Sequence, residues 1–311
     1  MDGTRTVPEV VAAMLDAVPG GSYDEAARVV DALVNSGHLE DAAAPPPDLP
    51  AADLIRHSRG QVYFQHVDLV PRDGGWHAQL ALRRSAVVVL GLGGTGGHAA
   101  WALTAAGVGR VHCVDDDVVE LSNLNRQVLY AEADVGRPKV DAALERLRQV
   151  NSGVVLTGER RRITSAAGLA DLVDGFDLLV LCADEPRDLR GWAARTGKPW
   201  VGGGYHGPLV TVGVFAPGHP CWECLVAGEA ARRTPGTPSD LTGGGGATSA
   251  SAGLSGHLTA QAALTLLTGI PPIPPGYLYG LNLLALDAPV HVRHPGRPAC
   301  PVCDPPGPSG S

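Results

Sequence analysis

The sequence predicts an α/β protein with a doubly wound, mostly parallel sheet, and three observations support this fold class. First, an apolar stretch at residues 86–90 precedes a glycine-rich turn and a helical pattern over residues 96–106, and a second apolar stretch follows at residues 111–114. Second, strand and helix patterns continue to alternate, which is typical of parallel sheets joined by helical crossovers. Third, 311 residues with 44% hydrophobic content can bury one sizeable α/β domain with a smaller module attached.

The N-terminal part of the chain is predicted to form a small helical module. Residues 7–40 carry two helical patterns joined at Pro19-Gly20-Gly21, and Ser22 is placed to cap the second helix. The proline-rich residues 42–47 indicate a stiff linker. The predicted divisions are the helical module with its linker, a second domain and a disordered tail, over residues 1–48, 49–304 and 305–311.

The second domain is predicted to contain further elements in order along the chain. A helix after Pro138 places Val140, Leu144 and Leu147 on one face. Residues 232–250 contain little that could pack and are predicted to form a mobile crossover loop. The remaining predicted strands lie at residues 154–157, 178–181, 209–215, 277–284 and 290–292.

Composition and charge exclude several classes of function. The net charge of −8, with arginines scattered among acids, offers no basic surface for nucleic acid or for an anionic membrane. The longest apolar stretches are far shorter than the roughly 20 residues needed to cross a bilayer. The first residues do not have a basic segment followed by the apolar core of a secretion signal. We therefore expect a cytoplasmic protein without nucleic-acid or membrane partners.

A glycine-rich turn after the first strand predicts a nucleotide site. Gly91, Gly93 and Gly96 form G-x-G-x-x-G between an apolar strand and a helix, where backbone N–H groups and the helix N-terminus can hold phosphate. Asp115 follows at the end of the second strand, where an acid can accept hydrogen bonds from ribose hydroxyls. At this point NAD and ATP fit equally well.

The next segment distinguishes the two nucleotides. Residues 115–127 read Asp-Asp-Asp-Val-Val-Glu-Leu-Ser-Asn-Leu-Asn-Arg-Gln, and Gly136-Arg137-Pro138-Lys139 follows. This combination resembles the ThiF/MoeB/HesA family of adenylyltransferases, which includes the ubiquitin-activating enzymes, and the similarity extends from about residue 54 to residue 303. The resemblance implies a Rossmann-like adenylation domain that uses ATP and Mg²⁺ to convert a carboxylate into an acyl-adenylate.

The resemblance also implies roles for individual residues. Arg126 and Lys139 would offset charge on the phosphates and the leaving pyrophosphate, and Asp184 would support magnesium; a strand-end loop acid is the alternative for Asp184. Arg59 would reach the ATP of a neighbouring subunit, which implies a homodimer; a solvated surface arginine is the alternative. The residues implied to bind nucleotide are Gly91, Gly93, Gly94, Gly96, Asp115, Asp117, Asn123, Arg126, Gln127 and Lys139.

Four cysteines predict a structural zinc site. Cys221 with Cys224, and Cys300 with Cys303, form two C-x-x-C pairs that can direct four thiolates to one tetrahedral ion. With four sulfur ligands the zinc has no vacant position, so it would stabilise the fold and would not activate water. A redox dithiol is the less favoured alternative, because neither pair has a thioredoxin-like context.

The other cysteines and the histidines are predicted to be structural. Cys113 and Cys182 lie in or at the ends of apolar strands, where cysteine behaves as a small hydrophobe. Residues 225–299 contain no cysteine, whereas relatives that form a self-thioester carry their nucleophile in or near the crossover loop. The resemblance therefore implies an enzyme that stops at the acyl-adenylate. The structural histidines are His98, His206 and His257.

Two classes of function remain open for the substrate side. Residues 7–40 resemble the helical half of the winged-helix-like leader-recognition modules of ribosomal peptide biosynthesis, with a helical cap as the alternative. The first class is an enzyme that adenylates the C-terminus of a small ubiquitin-like sulfur carrier or of a ribosomally made peptide. The second is a non-catalytic partner that binds a leader peptide for another enzyme. Retention of Asp115, Arg126 and Lys139 favours the enzyme, and a dehydrogenase is disfavoured.

Overall fold

The computed structural model describes residues 3–36, 38–39, 48–68, 70, 72, 74–232, 246–293 and 295–303. The chain divides into two compact units, Met1–Ala81 and Leu82–Ser311. This division lies further along the chain than the boundary predicted at residue 48. Residues 49–81, which follow the proline-rich stretch, belong to the N-terminal unit. The predicted linker, the predicted tail and most of the predicted crossover loop lie outside the described residues.

The N-terminal unit begins with the two predicted helices, α1 (Val7–Ala17) and α2 (Tyr23–Asn35). Ser22 caps α2 as predicted, since its Oγ accepts from the Glu25 backbone N–H at 3.3 Å while the Glu25 carboxylate accepts from the Ser22 N–H at 3.2 Å. A small apolar core of Val11, Ala26 and Val30 joins the two helices. A third helix, α3 (Ala51–Val67), follows in the same unit, and α4 (His77–Arg84) spans the division between the two units along the chain.

The second unit is an α/β domain, which confirms the predicted fold class. Its described strands form an eight-stranded sheet in the order β3-β2-β1-β4-β5-β6-β7-β8, parallel from β3 to β5 and antiparallel from β5 to β8. The elements are β1 (Ala86–Leu90), α5 (Gly94–Ala105), β2 (Arg110–Val114), α6 (Lys139–Val150), β3 (Val155–Glu159), α7 (Ala166–Val173), β4 (Leu178–Leu181), α8 (Leu189–Arg195), β5 (Trp200–His206), β6 (Leu209–Phe215), α9 (Trp222–Arg232), α10 (Ser249–Thr268), β7 (Tyr277–Asn282) and β8 (Ala285–Arg293).

The central parallel strands β1 and β4 are buried on both faces, which explains their continuous apolar sequences. On one face, alternate residues of β1 and β4 pack with α7 and α8 in a large apolar core. In the same core Trp200 of β5 stacks on Phe215 of β6 with ring centroids 4.5 Å apart. On the other face α5 packs against α10. A Cβ at Gly256 of α10 would collide with His98 of α5, so a glycine is required for this close approach.

The sequence analysis missed β5, because three consecutive glycines at residues 202–204 give no strand pattern. Packing against α10 explains the central one, since a Cβ at Gly203 would collide with the Thr259 hydroxyl. The last strands differ slightly from their predicted limits, with β7 ending at Asn282 and β8 starting at Ala285. In the described part of the chain, the helices fall short of the length and hydropathy that a bilayer span requires.

Candidate nucleotide site and four-cysteine cluster

A cavity of about 340 Å³ opens at the carboxyl ends of the parallel strands, where α/β sheets bind ligands. The loops after β1, β2 and β4 contribute to its lining, together with the end of β5. The structure thus brings together residues that are distant in the sequence. The predicted site residues that line the cavity are Gly91, Gly93, Gly94, Asp115, Asp117, Lys139 and Asp184.

The glycine turn requires its glycines for two different reasons. Gly91 has φ +91°, in the left-handed region, and a Cβ there would lie 2.7 Å from the Ala183 backbone nitrogen. Gly96 has an ordinary φ, but a Cβ there would collide with the carbonyl oxygen of Gly91. Gly96 therefore shapes the turn and does not line the cavity. The turn delivers the N-terminus of α5, whose first N–H groups have no intrahelical acceptor, to the cavity.

Asp115 is buried and organises the turn. Its Oδ2 accepts from the Leu92 backbone N–H at 2.7 Å, and its Oδ1 accepts from the Asp117 N–H at 2.9 Å. These bonds connect the end of β2 to the glycine turn after β1. A carboxylate has about four acceptor sites, so Asp115 keeps capacity for a further donor such as a ribose hydroxyl.

Lys139, the first residue of α6, places a buried ammonium group at the cavity. Its side chain is 7% exposed, and its Nζ lies 2.8 Å from Oδ2 of Asp117, which is 58% exposed. The other ammonium N–H groups have no hydrogen-bond acceptor among the described residues. A buried cation with one solvent-exposed partner is suited to a multiply charged anion.

Besides Gly96, three predicted nucleotide residues do not line the cavity: Asn123, Arg126 and Gln127. The Asn123 side-chain oxygen accepts from the Glu120 N–H at 3.1 Å, which closes the local turn. Gln127 is 5% exposed and its Oε1 has no hydrogen-bond partner in the described part of the chain. Arg126 reaches the cavity through an intermediary, because its Nε donates to the hydroxyl of Tyr205 at 3.2 Å and Tyr205 is a lining residue.

Acidic residues contribute to the cavity lining from two segments. Asp184 and Glu185 follow β4, and Asp116 follows β2, with its carboxylate 2.7 Å from Nε of Arg162 and within 4.8 Å of the carboxylates of Asp115 and Asp117. Carboxylate oxygens are the ligands that Mg²⁺ prefers, so this donor set fits the ion. Glu185, Arg162 and Tyr205 were not predicted as site residues, because none of them stands at a position of the motifs that indicated the other residues of the cavity lining.

Arg59 lies exposed on α3 of the N-terminal unit and is not among the residues that line the cavity. Its assignment to the ATP of a neighbouring subunit stays a prediction.

Among the predicted structural histidines, His98 has a hydrogen-bonding contact within its own helix. Its Nδ1 lies 2.8 Å from the Gly94 carbonyl oxygen. Its ring centroid lies 5.7 Å from that of His257.

Two cysteines outside the C-x-x-C pairs have strongly raised pKa values. Burial, with a smaller contribution from Asp115, raises the pKa of Cys113 to about 12. Burial, with a smaller contribution from Asp184, raises the pKa of Cys182 to about 12 although this residue lines the cavity. Only a thiolate is an efficient nucleophile, so these raised pKa values disfavour both side chains as nucleophiles at neutral pH.

The four remaining cysteines converge into one cluster, as predicted. Their sulfurs all lie within 4.8 Å of one another, and the distances include 4.0 Å for Cys221 to Cys224, 3.7 Å for Cys221 to Cys300 and 3.5 Å for Cys224 to Cys303. Zn–S bonds of about 2.3 Å in a tetrahedron place sulfurs roughly 3.8 Å apart, so the cluster has the size of a zinc site. The Arg297 N–H donates to Cys224 Sγ at 3.3 Å, an outer-shell bond typical of such sites.

Comparison with known proteins finds adenylyltransferases among the relatives of this chain. The adenylyltransferase and sulfurtransferase MOCS3 of Bos taurus is 33% identical over 278 residues, which cover 88% of this chain and 59% of that protein. The adenylyltransferase and sulfurtransferase uba4 of Aspergillus niger is 31% identical over 245 residues, covering 74% of this chain and 50% of that protein. The chain thus spans little more than half the length of these relatives.

Solved structures share the fold at low sequence identity. The structure of E. coli MccB with ATP superposes with a TM-score of 0.74 at 23% identity and covers 94% of this chain and 85% of that chain. The structure of PaaA gives a TM-score of 0.74 at 21% identity and covers 94% of this chain and 91% of that chain. The ThiF family itself matches residues 64–302, more than half of the sequence. The chain therefore belongs to the ThiF family.

Proposed function

We propose that this protein is an ATP- and Mg²⁺-dependent adenylyltransferase that activates a carboxylate on a small protein or peptide. In this reaction a carboxylate oxygen attacks the α-phosphorus of ATP, the bond from the α-phosphorus to the β-phosphate oxygen breaks, and pyrophosphate leaves as the acyl-adenylate forms. Family membership supports this assignment, as does the adenylyltransferase activity named for MOCS3 and uba4.

The buried ammonium of Lys139 beside the glycine turn is the observation that carries the proposal. Attack of a carboxylate on a triphosphate brings anion against anion, so positive charge fixed in a cavity favours the transition state. The N-terminus of α5 supplies partial positive charge, and Lys139 supplies a full charge with little exposure to water. Asp115 has spare acceptor capacity for the ribose.

The acidic lining would hold Mg²⁺ in the same cavity as these positive groups. Asp184 is the proposed ligand, and Glu185 and Asp116 line the same cavity. When bound, the ion would neutralise charge on the phosphates.

The proposed substrate is the C-terminal carboxylate of a ubiquitin-like sulfur carrier or of a ribosomally made peptide. MOCS3 is named as a sulfurtransferase as well as an adenylyltransferase, and MccB has been crystallised with MccA. The high pKa values of Cys113 and Cys182 support an enzyme that forms no thioester with its own cysteines. The proposal is tested by measuring exchange of labelled pyrophosphate into ATP in the presence of a sulfur carrier or of a peptide. Peptide binding without exchange would favour the non-catalytic alternative.

We also propose that the four-cysteine cluster holds one structural zinc ion. The ion would connect the start of α9 to the end of the described chain. Cys221 lies beside Cys300 and Cys224 beside Cys303, and the members of each of these contacts are 79 residues apart in the sequence. Closing so long a loop with one ion restricts the unfolded chain and stabilises the fold.

A shared site in a homodimer predicts complementation between inactive variants. Arg59→Ala and Arg126→Ala should each be inactive, whereas a mixture should regain up to about a quarter of wild-type activity after subunit exchange. In such a mixture some dimers carry both changes in one site and leave the other site intact. Mass spectrometry of isotope-labelled subunits would prove exchange, and no recovery after proven exchange would remove the shared-site claim.

A further inference from the structure

The arginine of the family motif and the cavity are connected through a single hydroxyl group. Nε of Arg126 donates to Oη of Tyr205 at 3.2 Å, while Nη1 donates to the Ser122 carbonyl oxygen and to Oδ1 of Asn125, each at 2.9 Å. Nη2 has no acceptor among the described residues. Three hydrogen bonds therefore fix the guanidinium plane, and the two N–H donors of Nη2 are left for a ligand.

Tyr205 belongs to a paired strand and lies against the N-terminal end of α5. Its backbone pairs with Val210 in the ladder between β5 and β6. Its hydroxyl would lie 2.8 Å from a Cβ at Gly94, the first residue of α5. Gly94 does not have a positive φ, so backbone conformation does not explain the glycine. The space that it leaves for the phenol does. The hydroxyl accepts from Arg126, and its own proton has no acceptor in the described part of the chain.

We propose that Tyr205 is a positioning residue, which holds the guanidinium of Arg126 beside the N-terminus of α5 so that Nη2 can bind a nucleotide phosphate. Without this bond only the two hydrogen bonds from Nη1 would hold the guanidinium, so part of its motion would have to be lost when ATP binds, at a cost in conformational entropy. This inference rests on the proposed function, because it takes the anion to be the triphosphate of ATP.

The test measures affinities for ATP with Mg²⁺ and for adenosine by titration calorimetry. Tyr205→Phe should weaken ATP binding about tenfold, as expected for one hydrogen bond to a charged group, and should leave adenosine binding unchanged. In the Arg126→Ala protein, Tyr205→Phe should cause no further loss of ATP affinity, because the guanidinium that the Tyr205 hydroxyl holds is absent. Tyr279→Phe is the matched control, since Tyr279 donates its hydroxyl to the Leu258 carbonyl oxygen of α10 at 3.0 Å and does not line the cavity.

The outcomes separate this inference from the proposed function. If the wild-type protein binds no ATP, the proposed function fails and the inference fails with it. If the wild-type protein binds ATP and Tyr205→Phe binds it equally well, only the inference is overturned. Equal losses for ATP and adenosine would assign Tyr205 a merely structural role. A full loss in the Arg126→Ala background would show that Tyr205 acts independently of Arg126. Either result overturns the inference.

Discussion

Lys139→Ala is expected to lower the rate of pyrophosphate exchange by on the order of 10²-fold or more. The ammonium group is buried at the cavity, where low dielectric strengthens its attraction for phosphate, and Asp117 is its hydrogen-bonded partner in the described structure. Removing it would also leave the Asp117 carboxylate to repel the triphosphate. Arg126→Ala should produce a loss of similar size. Initial rates of label transfer at saturating ATP measure the effect.

Two variants separate the charge of Lys139 from its contribution to packing. Lys139→Gln keeps most of the aliphatic chain and should be nearly as inactive as Lys139→Ala while remaining folded. Lys198→Ala removes the sequence's other lysine, which does not line the cavity, and should keep full activity. Near-normal exchange by both Lys139 variants would show that this ammonium group does not act on the phosphates.

Cys224→Ser should release the metal and destabilise the protein. Loss of a structural metal is among the changes that cost more than about 4 kcal/mol, which corresponds to a fall of about 10 °C in the melting temperature for a domain of this size. The reason is that Cys224 contacts Cys303 and receives the Arg297 N–H, so one substitution breaks the link between two distant segments. Elemental analysis should find about one zinc per wild-type chain and much less in the variant.

Cys113→Ala provides the matched control for the zinc site. Cys113 is fully buried but lies in β2, away from the cluster, so its replacement should preserve the zinc content. Freshly purified wild-type protein without zinc would contradict the assignment. Equal zinc contents in the wild-type and Cys224→Ser proteins would do so too.

Much of the fold could be predicted because the central strands of the sheet are strongly apolar. β1 and β4 match their predicted limits, since continuous runs of Val and Leu indicate buried strands without help from other elements. The antiparallel strand β6 matches as well, because buried valines alternate along it at positions 210, 212 and 214. β5 could not be found in this way, because its glycines serve the packing of α10, a contact that local sequence does not record. α10 itself was missed because it is rich in Ala, Ser, Gly and Thr and has no marked apolar stripe.

The candidate site was predictable where one short motif carries it. Asp115, Asp117 and Lys139 follow the glycine turn closely in sequence, and the structure places all three at the cavity. Tyr205 and Glu185 reach the same cavity from β5 and from the loop after β4. The pairing of β4 with β5 brings them there, and neither position belongs to a recognisable motif.

The most direct test of the adenylyltransferase assignment is exchange of labelled pyrophosphate into ATP with candidate partners encoded by neighbouring genes. The account predicts exchange only when a partner with a free C-terminal carboxylate is present with Mg²⁺, and no reducible adduct between the two chains on gels. Cys113→Ala and Cys182→Ala should exchange at nearly the wild-type rate. Tight binding of a partner without exchange under any of these conditions would contradict the account, and a thioester on Cys113 or Cys182 would contradict its claim that the enzyme stops at the acyl-adenylate.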